Sequence, residues 1–120
     1  MVATPNTHPR SQQHVRTGKL LLKGVPVGSV ILRGHDASWT FGEFTPFPEF
    51  SQFAALFGTW SLLMHAEDAG ERLSEAASEE LRLAEYAIDT IRATLLLESP
   101  EERRHLRQVN IDGPLIEWKE

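Results

Sequence analysis

Residues 39–57, WTFGEFTPFPEFSQFAALF, contain the point at which the apolar period of this chain changes. Trp39, Phe41 and Glu43 alternate with Thr40, Gly42 and Phe44, the period of two that belongs to a short strand. Pro46 and Pro48 then interrupt the run, because proline lacks the N–H that a central strand must donate. Beyond them Phe50, Phe53, Phe57, Trp60 and Met64 recur at i, i+3, i+7, i+10 and i+14, one face of a helix. A strand followed at once by an amphipathic helix sets the class as α+β.

Working upstream, Leu20-Leu21-Leu22 and Val27 to Arg33 are two further strand-like runs, separated by Lys23-Gly24-Val25-Pro26. The Gly-x-Pro break reads as a hairpin turn, and the isolated Gly28 marks a bulge. Gly34-His35-Asp36 reads as the next turn, which completes a three-stranded meander ending near Phe44.

Downstream, Gly70 is a natural break after the aromatic helix. Leu81, Ala84, Ile88, Ile91 and Leu95 then repeat the helical spacing, with Ser74 or Ser78 as a cap and Pro100 as a limit. Glu101 to Arg104 reads as one helical turn. Leu106 to Ile111 and Leu115 to Trp118 flank Asp112-Gly113, a strong hairpin signal. The predicted architecture is an α+β domain over residues 18–120. It consists of an antiparallel sheet of about five strands in the order βββ-αα-ββ, with an antiparallel helix pair packed on one face. Residues 1–17, with two prolines and few large apolar side chains, are expected to be a disordered tail.

Composition narrows the function classes. The chain has 120 residues and no cysteine, so thiolate catalysis, CxxC redox chemistry and thiolate metal sites are excluded. The absence of long apolar runs or a signal-peptide core points to a soluble, cytoplasmic protein with no membrane association. The formal net charge of −5 is unevenly spread. Residues 1–35 carry Arg10, Arg16, Lys19, Lys23 and Arg33 and no acid, whereas all 17 acids lie beyond them. A basic arm could touch phosphates, but the acidic remainder repels a polyanion, so nucleic acid is not the expected partner.

No P-loop, GxGxxG, GxSxG or HExxH pattern occurs. His65 and Asp68 share a helix face, and Glu102-x-x-His105 has the spacing of half a di-iron motif. Neither has the further ligands a metal site needs, so no metal or cofactor is expected. His35 and Asp36 fall in a predicted turn, where polar residues collect for backbone reasons.

The strongest anomaly is aromatic. All six phenylalanines lie between Phe41 and Phe57, bracketed by Trp39 and Trp60. Large rings of this kind fill the core where a strand and a helix meet; the competing reading leaves part of the cluster exposed as a groove for a partner, because one helix face cannot contain every ring. Trp39, Phe41, Phe44, Phe47 and Trp60 are therefore the candidate binding residues. His35, Asp36, Glu43 and His65 are the polar groups of an alternative apolar pocket between sheet and helices. The sequence thus points to a non-enzymatic interaction module, a homodimer or the binder of a small protein partner in a bacterial-type system. The alternative is a small enzyme or ligand-binding protein using that pocket.

Overall fold

The structure is a computed structural model and describes residues 15–119. The expected tail over residues 1–17 lies outside the described residues as far as residue 14. Six antiparallel strands are present: β1 (Thr17–Leu22), β2 (Val25–Asp36), β3 (Trp39–Pro46), β4 (Ala93–Leu97), β5 (Glu102–Asp112) and β6 (Leu115–Lys119). Between β3 and β4 come a 3-10 turn (Pro48–Phe50) and two helices, α1 (Ser51–Asp68) and α2 (Glu75–Thr90).

The strands close into a barrel in the order β1-β2-β3-β6-β5-β4. This corrects the five-stranded sheet with helices on one face. Two misread segments account for the difference. Leu95 fits the helical series begun at Leu81, yet α2 stops at Thr90, whose hydroxyl donates to the Ala87 carbonyl. Ile91 is already extended, at φ −73° and ψ 128°. From there Ala93, Leu95 and Leu97 alternate inward with half-buried Thr94 and Leu96, so a leucine-rich run that fits both periods is a strand. Nor is Glu101 to Arg104 helical, since Glu102 opens the eleven-residue β5. At its charged start Arg103 and His105 face water, while Glu102 and Arg104 share the parity of buried Leu106 and pair with each other at the barrel end.

The extra strand changes the topology. β4 pairs with β1 along Gly18↔Leu97 to Leu22↔Ala93, and β3 pairs with β6 along Trp39↔Lys119 to Glu43↔Leu115. Each strand then has two neighbours, so among the described residues no sheet edge is left to recruit another chain. Two-residue turns make three of the hairpins, and four residues, 98–101, join β4 to β5. Lys23-Gly24 joins β1 to β2 with both residues at positive φ (52° and 79°), the mirror-image turn that matches strand twist. The β2–β3 turn is Ala37-Ser38 rather than Gly34-His35-Asp36, which belong to the end of β2. The pairing also slips beside Gly28, where Leu20 faces Gly28 and Leu21 faces Pro26.

Barrel closure needs a dense interior. Leu20, Leu22, Val27, Val30, Leu95, Ile116 and Trp118 are all essentially inaccessible. Phe53 and Phe57 of α1 and Ile88 of α2 join the same core cluster, so the helices are bound to the barrel by shared packing. α2 begins with a true cap, Ser74 Oγ accepting from the Ala77 amide at 3.0 Å. On its exposed face Arg82 pairs with Glu79, which holds the Glu79 carboxyl below the usual carboxylate range.

Phe44 shows how close the packing is. Its ring lies directly over Gly28, where any Cβ would collide with it, and meets Phe50 edge-on at 5.0 Å between centroids. Phe44→Ala should therefore destabilise the protein by about 3–5 kcal/mol, read from urea unfolding. Phe41→Ser, at an exposed position, should cost under about 1 kcal/mol.

The start of β1 is tied to the β4–β5 turn. Arg16 donates to Glu102 at 3.0 Å and to the Pro100 carbonyl at 2.7 Å. Hydrogen bonds from Arg104 and then Arg16 hold the Glu102 carboxyl below the usual carboxylate range. A depressed folded-state value means that this stabilisation is present above the unfolded carboxylate pKa. It is lost as pH falls through the folded value. The melting temperature of Glu102→Gln should thus lie slightly below wild type at neutral pH and converge with it in acid.

Candidate functional site

Strand alternation decides where the aromatic residues go. On β3, Gly42 and Phe44 point into the barrel, so Trp39, Phe41 and Glu43 point out. On β6, Ile116 and Trp118 point in and Leu115, Glu117 and Lys119 out. Trp39 and Phe41 of β3 and the outward residues of β6, with Gln108, Asn110 and Asp112 of β5, form one wall of a cleft of about 830 Å³. The facing wall is helical: Trp60, Met64, His65 and Asp68 from α1, and Glu85, Ile88 and Asp89 from α2.

The two walls are held together by few contacts near the β5–β6 turn. Ser61 Oγ donates to the Ile111 carbonyl at 3.3 Å, and His65 Nε2 lies 2.7 Å from Asp112 Oδ2. Ser61 is buried, whereas the His65 and Asp112 side chains are well exposed. On the strand wall, Lys119 Nζ stands 5.0 Å from the centre of the Trp39 ring, within cation–π range. Phe41 crosses to the neighbouring strand and covers Gly34, yet remains 40 % exposed, and Leu115 is 63 % exposed. Two large apolar side chains left in water on one concave wall are uncommon unless something covers them.

The structure brings Trp39, Phe41, Trp60 and His65 into this cleft. The other candidates lie elsewhere. Phe44 is 3 % exposed and part of the barrel core. Phe47 is half-buried beside β2, its amide donating to the Val27 carbonyl at 2.8 Å. His35 and Asp36 are exposed at the end of β2, opposite Thr40 and Trp39, and do not line the cleft. Glu43 is engaged by Arg33 at 2.7 Å. Sequence reasoning missed Glu85, Asp89 and Leu115. The i, i+4 spacing of Glu85 and Asp89 announces a shared helix face, but only the tertiary arrangement turns it toward the aromatic wall.

Chemically, the cleft offers aromatic and thioether surface with carboxylates at its rim. Glu117 accepts from Asn110 at 3.2 Å. Among the described residues no group of three or more His, Asp or Glu side chains is placed to hold a metal, and no helix is long and apolar enough to cross a membrane. A second, shallower hollow of about 540 Å³ lies across α1, between Phe44, Phe50, Leu62 and Pro114. The chain matches no protein-family model, no curated protein and no solved structure.

The geometry orders the wall-to-wall contacts by strength. Ser61→Ala removes a buried donor and should cost about 1 kcal/mol. A double-mutant cycle on His65 and Asp112 should give a coupling below that, about 0.2–1 kcal/mol, because both groups are solvated. Chemical denaturation of the four variants measures both.

Proposed function

We propose that this protein is a non-enzymatic binding module whose recognition surface is the cleft between β3, β6 and the helix pair. The observation that carries this reading is the exposure of Phe41 and Leu115 beside Trp39, Trp60 and Met64. Aromatic and methionine side chains in a concave, partly desolvated setting are the groups that dominate binding energy at protein interfaces. The partner supplies an apolar side chain to sit between the Trp39–Phe41 wall and α1, and is a second copy of the chain or a small protein. Catalysis is not assigned. His65 pairs with Asp112, and Ser61, one helical turn before it, commits its hydroxyl to the Ile111 carbonyl.

A second reading has the cleft hold a small molecule, since its volume falls in the range of about 300–1,000 Å³ typical of ligand pockets. The two readings separate in one experiment. Peptides are selected from a random displayed library on wild-type protein and titrated against the doubly substituted Phe41→Ser, Leu115→Ser protein. Native mass spectra of both are recorded in parallel. A binding module gives peptides whose affinity drops at least about tenfold on the variant, or a wild-type dimer that the variant lacks. Binders indifferent to both substitutions would overturn the reading. A reproducible extra mass on wild-type subunits alone would favour the small-molecule pocket.

A further inference from the structure

Resting on that reading, we propose that the cleft selects a basic partner: a protein segment carrying lysine or arginine beside a bulky apolar side chain. The first argument is charge complementarity. Asp68, Glu85, Asp89, Asp112 and Glu117 line the cleft, against Lys119 as its one lysine or arginine. Four arginines pair with carboxylates away from the cleft, Arg33 with Glu43, Arg82 with Glu79, and Arg16 and Arg104 with Glu102. Arg107 lies in the adjoining hollow beside Asp89 and Lys119 and does not line the cleft itself. Asp68, Glu85 and Asp89 make no hydrogen bond or ion pair among the described residues.

The arrangement of these charges sharpens the argument. Glu85 and Asp89 stand one helical turn apart on α2, where like charges repel. They face an aromatic wall, and a concave surface with apolar sides concentrates the field of its carboxylates. An incoming cation relieves the repulsion and is drawn in by the field. An incoming carboxylate meets five like charges.

The second argument is that the aromatic wall already accepts a cation. Lys119 Nζ lies over Trp39, so this wall accommodates an ammonium beside indole. The Trp60 ring across the cleft offers a further aromatic surface, and arginine is well suited to stack on it. An apolar side chain on the same segment covers Phe41 and Leu115. None of the described residues 15–35 lines the cleft, so among the described residues the recognition surface comes from the acidic part of the chain.

The test uses the full chain and two fluorescein-labelled octapeptides, one alternating leucine with arginine and one alternating leucine with glutamate. Fluorescence anisotropy is followed from about 20 mM to about 500 mM salt, a range over which screening of exposed charges becomes nearly complete. The basic peptide is expected to bind, to weaken at least about tenfold across that range, and to weaken as much on Asp68→Asn, Glu85→Gln, Asp89→Asn protein at low salt. All three carboxylates are exposed, and circular dichroism checks that the variant folds. An independent readout uses wild type alone. Trp118 is fully buried, so collisional quenching reports on Trp39 and Trp60, and the ratio of caesium to iodide quenching should exceed that of free tryptophan amide. Equal binding of the basic peptide by wild type and variant, or a ratio no higher than that of free tryptophan amide, overturns the charge selection. Preferred binding of the acidic peptide at Phe41 and Leu115 overturns it too, but leaves the binding module standing. If neither peptide binds, the charge selection falls, and the displayed-peptide and dimer measurements decide the binding module by themselves.

Discussion

Two strand pairings, β1 with β4 and β3 with β6, hold the molecule in its form. Each joins segments far apart in the chain: Gly18 lies opposite Leu97, and Trp39 opposite Lys119. Without them the first three strands would be an open meander with two edges, and the last three a second one. Closure satisfies the backbone groups at all four edges within the molecule, a large saving given the cost of a buried unpaired amide or carbonyl. It also brings together two sets of inward side chains that neither meander could bury alone. Trp118 is the largest of them, and its complete burial follows from having strands on every side. Because these contacts are non-local, loop-closure entropy must be met before the packing compensates for it.

Once the barrel is closed, alternation sorts every strand residue. Phe44 goes in because Gly42 and Phe44 share a face with Ile116 and Trp118; Phe41 and Trp39 go out by the same parity. The helical excursion between β3 and β4 then has a surface to meet. It uses Phe53, Phe57 and Ile88 to join the core, and it leaves Trp60, Met64 and the acids of α2 facing the outward residues of β3 and β6. The cleft is thus what remains between the helical layer and the strand wall beside the Ser61–Ile111 and His65–Asp112 contacts.

Much of this was legible in the chain. The switch of period at Pro46, the cap at Ser74 and the Asp112-Gly113 turn are local signals, and local chemistry determines them. β4 was hidden because Leu95 satisfies both a helical series from Leu81 and an alternating one from Ala93. The start of β5 was hidden because Glu102-Arg103-Arg104 puts charged side chains on both faces of the strand and so lacks an apolar rhythm. Closure itself has no sequence signal of its own, since it depends on registers between strands about 80 residues apart. The site followed the same rule. Trp39, Phe41, Trp60 and His65 could be suspected from aromatic excess and residue type, whereas Glu85 and Asp89 acquire their role only when α2 is set opposite β6.

This architecture also separates stability from recognition. The barrel has its own core and no free edges, so Phe41, Leu115, Glu85 and Asp89 contribute little to holding the backbone. Their substitution changes the chemistry of a wall without opening a cavity beneath it, because Gly42 and Ile116 on the opposite face continue to pack inward. The constraint runs the other way for α1. Phe53, Phe57 and Ser61 anchor the helix on one side, and Trp60 and Met64 face the cleft from the other. A change that shifts α1 to improve packing therefore shifts one wall of the recognition surface with it. The strand wall can be retuned freely, while the helical wall is tied to the core, and specificity in such a cleft is most easily altered from β3, β6 and the exposed face of α2.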